Sequence, residues 1–210
     1  MTDADLLAAR VRLMGLPKAQ VGSGWTHMGA VICNAGLQPR AKYKTTVLPR
    51  IERLLTSWHE ATTTSAFRER LNTDSLSAVL NWRGPRKLAV IDGITTALEM
   101  TGIETVDQLR QHYLDDAAAP MLIQRLRSVR RVGPKTVNYL AILAGTGQHV
   151  AIDVHLRRFA RDAGIANGRD AHLANTYLDA AGQLGWTPGE LDRAVWLYQS
   201  DEGRSVAQVE

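Results

Sequence analysis

The stretch VRRVGPKTVNYLAILAGTGQHVAIDVHLRRFARDAGI, Val129 to Ile165, decides how this chain is read. Leu122, Leu126 and Val129 lead into it, and Val137, Leu140 and Ala144 follow within it, each set spaced as one apolar face of a helix. Only Arg130 to Pro134 separate the two runs, so the spacing predicts a tight helical hairpin at about 122–144. Gly133 can take a positive φ and let backbone approach a ligand, while Pro134 pre-sets φ for the first turn of the second helix. That helix start offers backbone N–H groups and the positive end of a dipole. Arg125, Arg127, Arg130, Arg131 and Lys135 surround it with no acid among them. Such a terminus suits a phosphate, held without reading base sequence. Two plainer readings stay open: an ordinary helical corner containing Gly and Pro, and a solvated basic face.

Lys135 stands just inside the second helix, where the dipole and the arginines disfavour an ammonium and promote the neutral, nucleophilic amine. Tyr139 lies one turn on, on the same face, placed either to stack on a flat substrate or to serve as a core aromatic. Eighteen residues after Lys135 comes Asp153, set in the apolar run Val150 to Leu156. An aspartate just before a helix starting at Val154 is a favoured N-cap. A capping carboxylate at a cleft can also stabilise a developing cation or move a proton, so both readings stand. His155 is a secondary acid–base or phosphate-facing candidate.

The same helical spacing recurs outward from this stretch: Leu48, Ile51, Leu54 and Leu55; Leu76, Val79 and Leu80; Leu88, Ile91, Ile94 and Leu98. Glycine- and proline-bearing breaks fall at 15–17, 22–24, 37–40, 84–85, 102, 117–120, 133–134, 145–147, 164–168 and 185–189, which predicts about ten short helices and an all-α fold. No repeat or low-complexity linker interrupts them. The 210 residues are 45% apolar and 22% charged, ordinary globular usage that argues against disorder or a fibre. The longest apolar run, Tyr139 to Ala144, is far short of a membrane span, and the first ten residues lack the basic start and apolar stretch of a secretory signal. The expectation is a cytoplasmic, nucleoid-associated protein. One cysteine, Cys33, allows neither an internal disulfide nor a cysteine-built cluster. A net charge of +4 and a pI near 9.5 permit a polyanionic partner, with Arg157, Arg158 and Arg161 adding to the basic segment.

Taken in order, the hairpin, the lysine and the aspartate block resemble the helix-hairpin-helix signature of the base-excision DNA glycosylases related to endonuclease III and the 8-oxoguanine glycosylases. Val132, Gly133, Lys135 and Thr136 fall on the hairpin half of that signature; Ile152, Asp153, His155 and Arg158 fall on the Val-Asp-x-His-x-x-Arg half. The resemblance covers about one fifth of the chain. It implies two all-helical lobes with DNA in the cleft between them, a central lobe over 51–149 and a second from 1–50 plus 150–210. It implies Lys135 as the amine that attacks the sugar C1′ and Asp153 as the carboxylate that serves it. Arg130, Arg131, Val132, Gly133, Thr136 and His155 then become DNA contacts. Tyr139 is a base-pocket candidate. The loop Asn81 to Lys87, with Arg83 and Pro85, and the segment Asn34 to Pro39, with Gln38, resemble the places from which relatives fill the gap left by a flipped nucleotide.

This chain departs from the family pattern in three ways. The first hairpin glycine is Arg131, a residue less free to take positive φ. The four-cysteine cluster of many relatives is absent, so the resemblance is to the cluster-free branch, with no cofactor beyond room for a monovalent cation at the hairpin. The N-terminal third carries no family motif. The implied function is a glycosylase and abasic-site lyase acting as a monomer on duplex DNA with a damaged base such as 8-oxoguanine. Trp25, Trp82, Trp186, Trp196 and Tyr198 form the pool for a base sandwich, most of them expected in the core. Two alternatives remain: a non-catalytic helix-hairpin-helix DNA binder, and a monofunctional glycosylase that uses only Asp153.

Overall fold

The computed structural model describes residues 1–200, and every regular element among them is helical. The helices are α1 (Asp3–Leu13), α2 (Met28–Leu37), α3 (Leu48–Ser57), α4 (Thr64–Thr73), α5 (Leu76–Val79), α6 (Pro85–Glu99), α7 (Val106–Leu114), α8 (Ala119–Ser128), α9 (Pro134–Leu143), α10 (Val154–Asp162), α11 (Asp170–Leu184) and α12 (Pro188–Gln199). A π-helical turn, Tyr43–Val47, leads into α3. The protein is all-α as expected, with twelve α-helices among the described residues where about ten were read. Helices with a proline in one of their first two positions at a sequence break (α6, α8, α9, α12) begin where those breaks put them. Three others start without Gly or Pro at the helix: the hydroxyls of Thr63, Ser75 and Thr105 accept the amides of Ala66, Ala78 and Gln108 to open α4, α5 and α7, and of these α4 has neither an apolar run read from the sequence nor a Gly or Pro break to mark it. No helix among the described residues is long and apolar enough to cross a membrane.

The described residues divide into two compact units, Ser23–Thr146 and the remainder, Met1–Gly22 with residues 147–200. The last ten positions of the expected 150–210 stretch lie outside the described residues.

The Ser23–Thr146 unit is built around α2. All ten of its residues are buried, so it has no face to offer water and packs against α3, α4, α6 and α9. That explains a difference from the sequence reading: residues 23–50, assigned there to the terminal lobe, pack here, because a helix apolar all round must be enclosed. Its start is fixed by His27, whose Nδ1 accepts the Ala30 amide while Nε2 donates to the Trp58 carbonyl at 2.9 Å. Ile51, Leu54, Phe67, Ile91 and Leu140 share its core. The chain enters and leaves this unit side by side, with the Trp25 amide on the Leu143 carbonyl at 2.9 Å. At that crossing Gly24 and Gly145 both have positive φ, +86° and +82°, and a Cβ on Gly145 would lie 2.4 Å from the Ser23 carbonyl oxygen. Only glycine fits there.

The other unit packs α1 on α11 and α10 on α12. Thr2 and Asp5 close a reciprocal capping box at the start of α1. Leu7, Val11, Phe159, Leu173, Tyr177 and Val195 form its core, and the buried Tyr177 hydroxyl donates to the Leu156 carbonyl at 2.8 Å. None of Trp25, Trp82, Trp186 and Trp196 is fully buried; they pack at the core edges, and the tryptophan inside is Trp58.

Candidate functional site: a basic hairpin and a capping aspartate

Helices α8 and α9 and the turn between them form the expected hairpin. Leu122, Leu126 and Val132 anchor it in the core, and the turn closes through the Val132 amide on the Val129 carbonyl at 3.0 Å. Gly133 is not the residue that takes positive φ. Its φ is −108°, and it serves as N-cap of α9 with no side-chain cap. Arg131 takes the left-handed conformation instead, with φ of 76°. An arginine thus accepts a strain of about 1–2 kcal/mol to hold the turn. A Cβ on Gly133 would meet no protein atom within 4 Å, so the space in front of the α9 terminus is open. Arg130 and Arg131 are exposed beside it. Val132 and Thr136 are each only 6% exposed, so whatever contact they make with a ligand runs through backbone.

Strain held by a charged side chain at a turn makes a testable trade. Arg131→Gly is expected to raise stability by about 0.5–1 kcal/mol in thermal melts, the relieved strain being partly offset by glycine's freedom in the unfolded chain. If Arg131 grips a phosphate, the same variant binds a DNA duplex more weakly, with the salt slope reduced by about 1.

Behind the hairpin, α9 meets the end of α2 in an antiparallel polar ladder. Lys135 Nζ donates to Gln38 Oε1 at 3.1 Å, and one turn on the Tyr139 hydroxyl donates to Asn34 Oδ1 at 3.2 Å. Four residues singled out separately, or by segment, in the sequence therefore stand together, at matched four-residue spacings on two helices. Asn34 is fully buried and its Nδ2 has no hydrogen-bond partner. Lys87, at the start of α6, donates to the Leu37 carbonyl and lies 4.8 Å above the Trp82 ring, placing a second amine next to the end of α2. Burial, and then the charge of Arg50, hold the Lys87 ammonium below the usual lysine value. Lys87 was missed as an individual residue because its chemistry depends on packing against Leu37, fifty positions away. Arg83 and Pro85 are exposed in the loop before α6, and Trp82 is held there between Lys87 and Arg50, whose guanidinium carbon lies 5.3 Å from the ring centre.

Asp153 and His155 belong to the other unit. Asp153 is the N-cap of α10: its Oδ1 accepts the amides of His155 at 2.8 Å and Leu156 at 3.1 Å. The capping role is shown, and it fixes the carboxylate's orientation. Asp192 of α12 reinforces the approach to it by accepting the Ala151 amide at 2.8 Å. Asp192 was not singled out; its signal is a carboxylate one position from the buried Leu191 on a helix that also buries Ala194 and Val195. Removing it in Asp192→Ala leaves the buried Ala151 amide unpaired and is expected to cost about 2 kcal/mol in a denaturant titration. The His155 ring lies edge-on to Trp196 at 6.2 Å, and its Nδ1 is buried with no hydrogen-bond partner. Burial pushes the Tyr177 phenol well up, and the Asp192 and Asp153 carboxylates add to that shift.

Among the described residues no group of three or more His, Cys, Asp or Glu side chains is arranged to hold a metal ion. Cys33 is wholly buried, and burial pushes its thiol far above the range in which it would be nucleophilic.

Fold and site together define an all-α protein that presents a strained basic hairpin beside a half-buried lysine. A family model described as a domain of unknown function, DUF8548, matches residues 30–200, and the chain belongs to that family. No curated protein and no solved structure matches it.

Proposed function

We propose that this protein is a base-excision DNA glycosylase with an associated abasic-site lyase step, using Lys135 as nucleophile and Asp153 as the assisting carboxylate. The observation that carries the reading is Arg131: a non-glycine residue takes the left-handed conformation at the position where the resembling glycosylases have a glycine. A strained arginine of this kind is typical of a turn whose geometry serves a ligand. The open space before Gly133, the exposed Arg130 and Arg131, and the positioned Lys135 supply phosphate contact and a nucleophile in one element.

In the proposed step the neutral Lys135 amine attacks C1′ of the nucleotide. The bond from C1′ to the base nitrogen breaks, the base leaves with its bonding electrons and takes up a proton, and the sugar ring opens to an iminium on Lys135. Loss of a C2′ proton then expels the 3′ phosphate by β-elimination, and hydrolysis frees the lysine. Asp153 accepts the amine's proton or stabilises the oxocarbenium-like sugar. Tyr139 is proposed at the base pocket, and Gln38, Arg83 and Pro85 at the gap in the duplex. An oxidised purine such as 8-oxoguanine is the proposed lesion, and the protein is proposed to act as a cytoplasmic, nucleoid-associated monomer.

The test is to incubate the protein with duplexes carrying an abasic site or 8-oxoguanine and add borohydride, which reduces an imine to a permanent link. A protein–DNA adduct on the abasic duplex is the expected result. A second reading is favoured by the cap at α10: holding the His155 and Leu156 amides accounts for Asp153 without chemistry. On that reading the hairpin only grips DNA, and the abasic duplex is bound with strong salt dependence but never trapped.

A further inference from the structure

We propose that the arginine-bearing side of α10 forms a binding site for a phosphate ester the size of one nucleotide. Helix α10 has two faces. Leu156 and Phe159 turn into the core, while Val154, Arg157, Arg158 and Arg161 repeat at the same helical spacing on a second side, with Ala160 between the two. A basic stripe on a convex helix is ordinarily solvated. This one borders a half-open cleft: the chain after Gly164, where φ is +90°, folds alongside it and leaves a cavity of about 360 Å³ open to solvent on one side. Ile165 and Leu173 supply apolar lining and are almost fully buried.

The chemistry of the lining selects the ligand. Arg157 is committed to Asp170 and to the Gly168 carbonyl, which holds the cavity wall in place. Arg161 reaches Asp162 at 3.3 Å from a largely exposed position, and Arg158 has no carboxylate drawn to it among the described residues. Arg158 is thus available for a phosphate, Arg161 joins it by releasing an exposed ion pair, and their planar forks match a phosphate's oxygens two at a time. At about 360 Å³ the cleft has room for several water-sized groups, of about 30 Å³ each, beside a phosphate. The remaining space is lined by aliphatic carbon and by guanidinium planes, which favour a flat, weakly polar body such as a nucleobase. The site uses neither Lys135 nor Asp153 and stands independently of the proposed glycosylase activity.

The same chemistry has two sources, a free mononucleotide or a nucleotide within a strand. Calorimetric titration of the full chain with deoxyadenosine 5′-monophosphate, deoxyadenosine, inorganic phosphate and a short single-stranded oligonucleotide separates them. The monophosphate is expected to bind at least about tenfold more tightly than deoxyadenosine or phosphate. Arg158→Ala is expected to weaken it by about tenfold or more, and Ala166→Trp, which fills the cavity without changing charge, to block it. Both variants should melt like the parent. If only the oligonucleotide binds and both variants weaken it, the site holds a nucleotide within a strand, which still supports the proposal. Failure of both ligands to bind below about 10 mM, or unchanged binding in Arg158→Ala and Ala166→Trp, overturns it.

Discussion

In a Lys135→Arg protein, the borohydride-trapped adduct on an abasic duplex is expected to fall by about three orders of magnitude, to background, while binding of the same duplex changes by no more than a few fold. The pairing follows from the chemistry of the two side chains. Arginine keeps the positive charge beside the hairpin, so phosphate attraction survives, but a guanidinium does not deprotonate in a protein and cannot form the imine. The position tolerates the change: Lys135 is half-buried at the first turn of α9 and contacts Gln38 through its tip, so a shift in melting temperature beyond about 2 °C is not expected. Lys87 supplies the control. Its amine is held below the usual lysine value by burial and by the charge of Arg50, and it bonds to Leu37, the residue before Gln38. If Lys87→Arg removes the adduct and Lys135→Arg leaves it, the nucleophile is Lys87 and the assignment made here from the hairpin motif is overturned. If both variants are trapped as well as the parent, an amine elsewhere is responsible and the motif carries no chemistry.

The hairpin was legible in the sequence because its signals are local. Spacing of Leu122, Leu126, Val137 and Leu140 gives two helices, and a Gly-Pro pair at the junction leaves no room for other structure. The conformations inside the turn were less legible. Glycine's freedom drew attention to Gly133, yet Arg131 carries the positive φ, because the backbone path is set by Val132 being buried and by the closing bond to Val129. Partners across α2 and α9 were invisible for a different reason. Asn34, Gln38, Lys135 and Tyr139 are spaced four apart in two places a hundred residues from each other, and nothing local says which helices face. The boundary of the Ser23–Thr146 unit was set too late in the chain, although its cause was in view. A ten-residue helix with no charged residue, Met28–Leu37, needs neighbours on every side, and those neighbours are α3, α4, α6 and α9.

That enclosed unit makes its heaviest demand at the crossing where the chain comes in and goes out. Gly145→Ala is expected to destabilise the protein by about 3 kcal/mol or more, lowering the melting temperature by about 6–12 °C. Two effects combine. A φ of +82° costs an L-residue about 1–2 kcal/mol wherever it occurs. In addition, the new methyl would lie 2.4 Å from the Ser23 carbonyl oxygen and 2.7 Å from its carbon, both backbone atoms that cannot swing aside. Relief requires the entering and leaving segments to part, which strains the Trp25–Leu143 hydrogen bond. Gly102→Ala separates the two effects, because Gly102 has a φ of +69° with nothing within 4 Å of its would-be Cβ. It should cost only the conformational share, about 1 kcal/mol. Equal losses in the two variants would mean that the crossing yields freely. A much larger loss at Gly145 would show that this unit, though built from the middle of the chain, is locked by the contact between its own two ends.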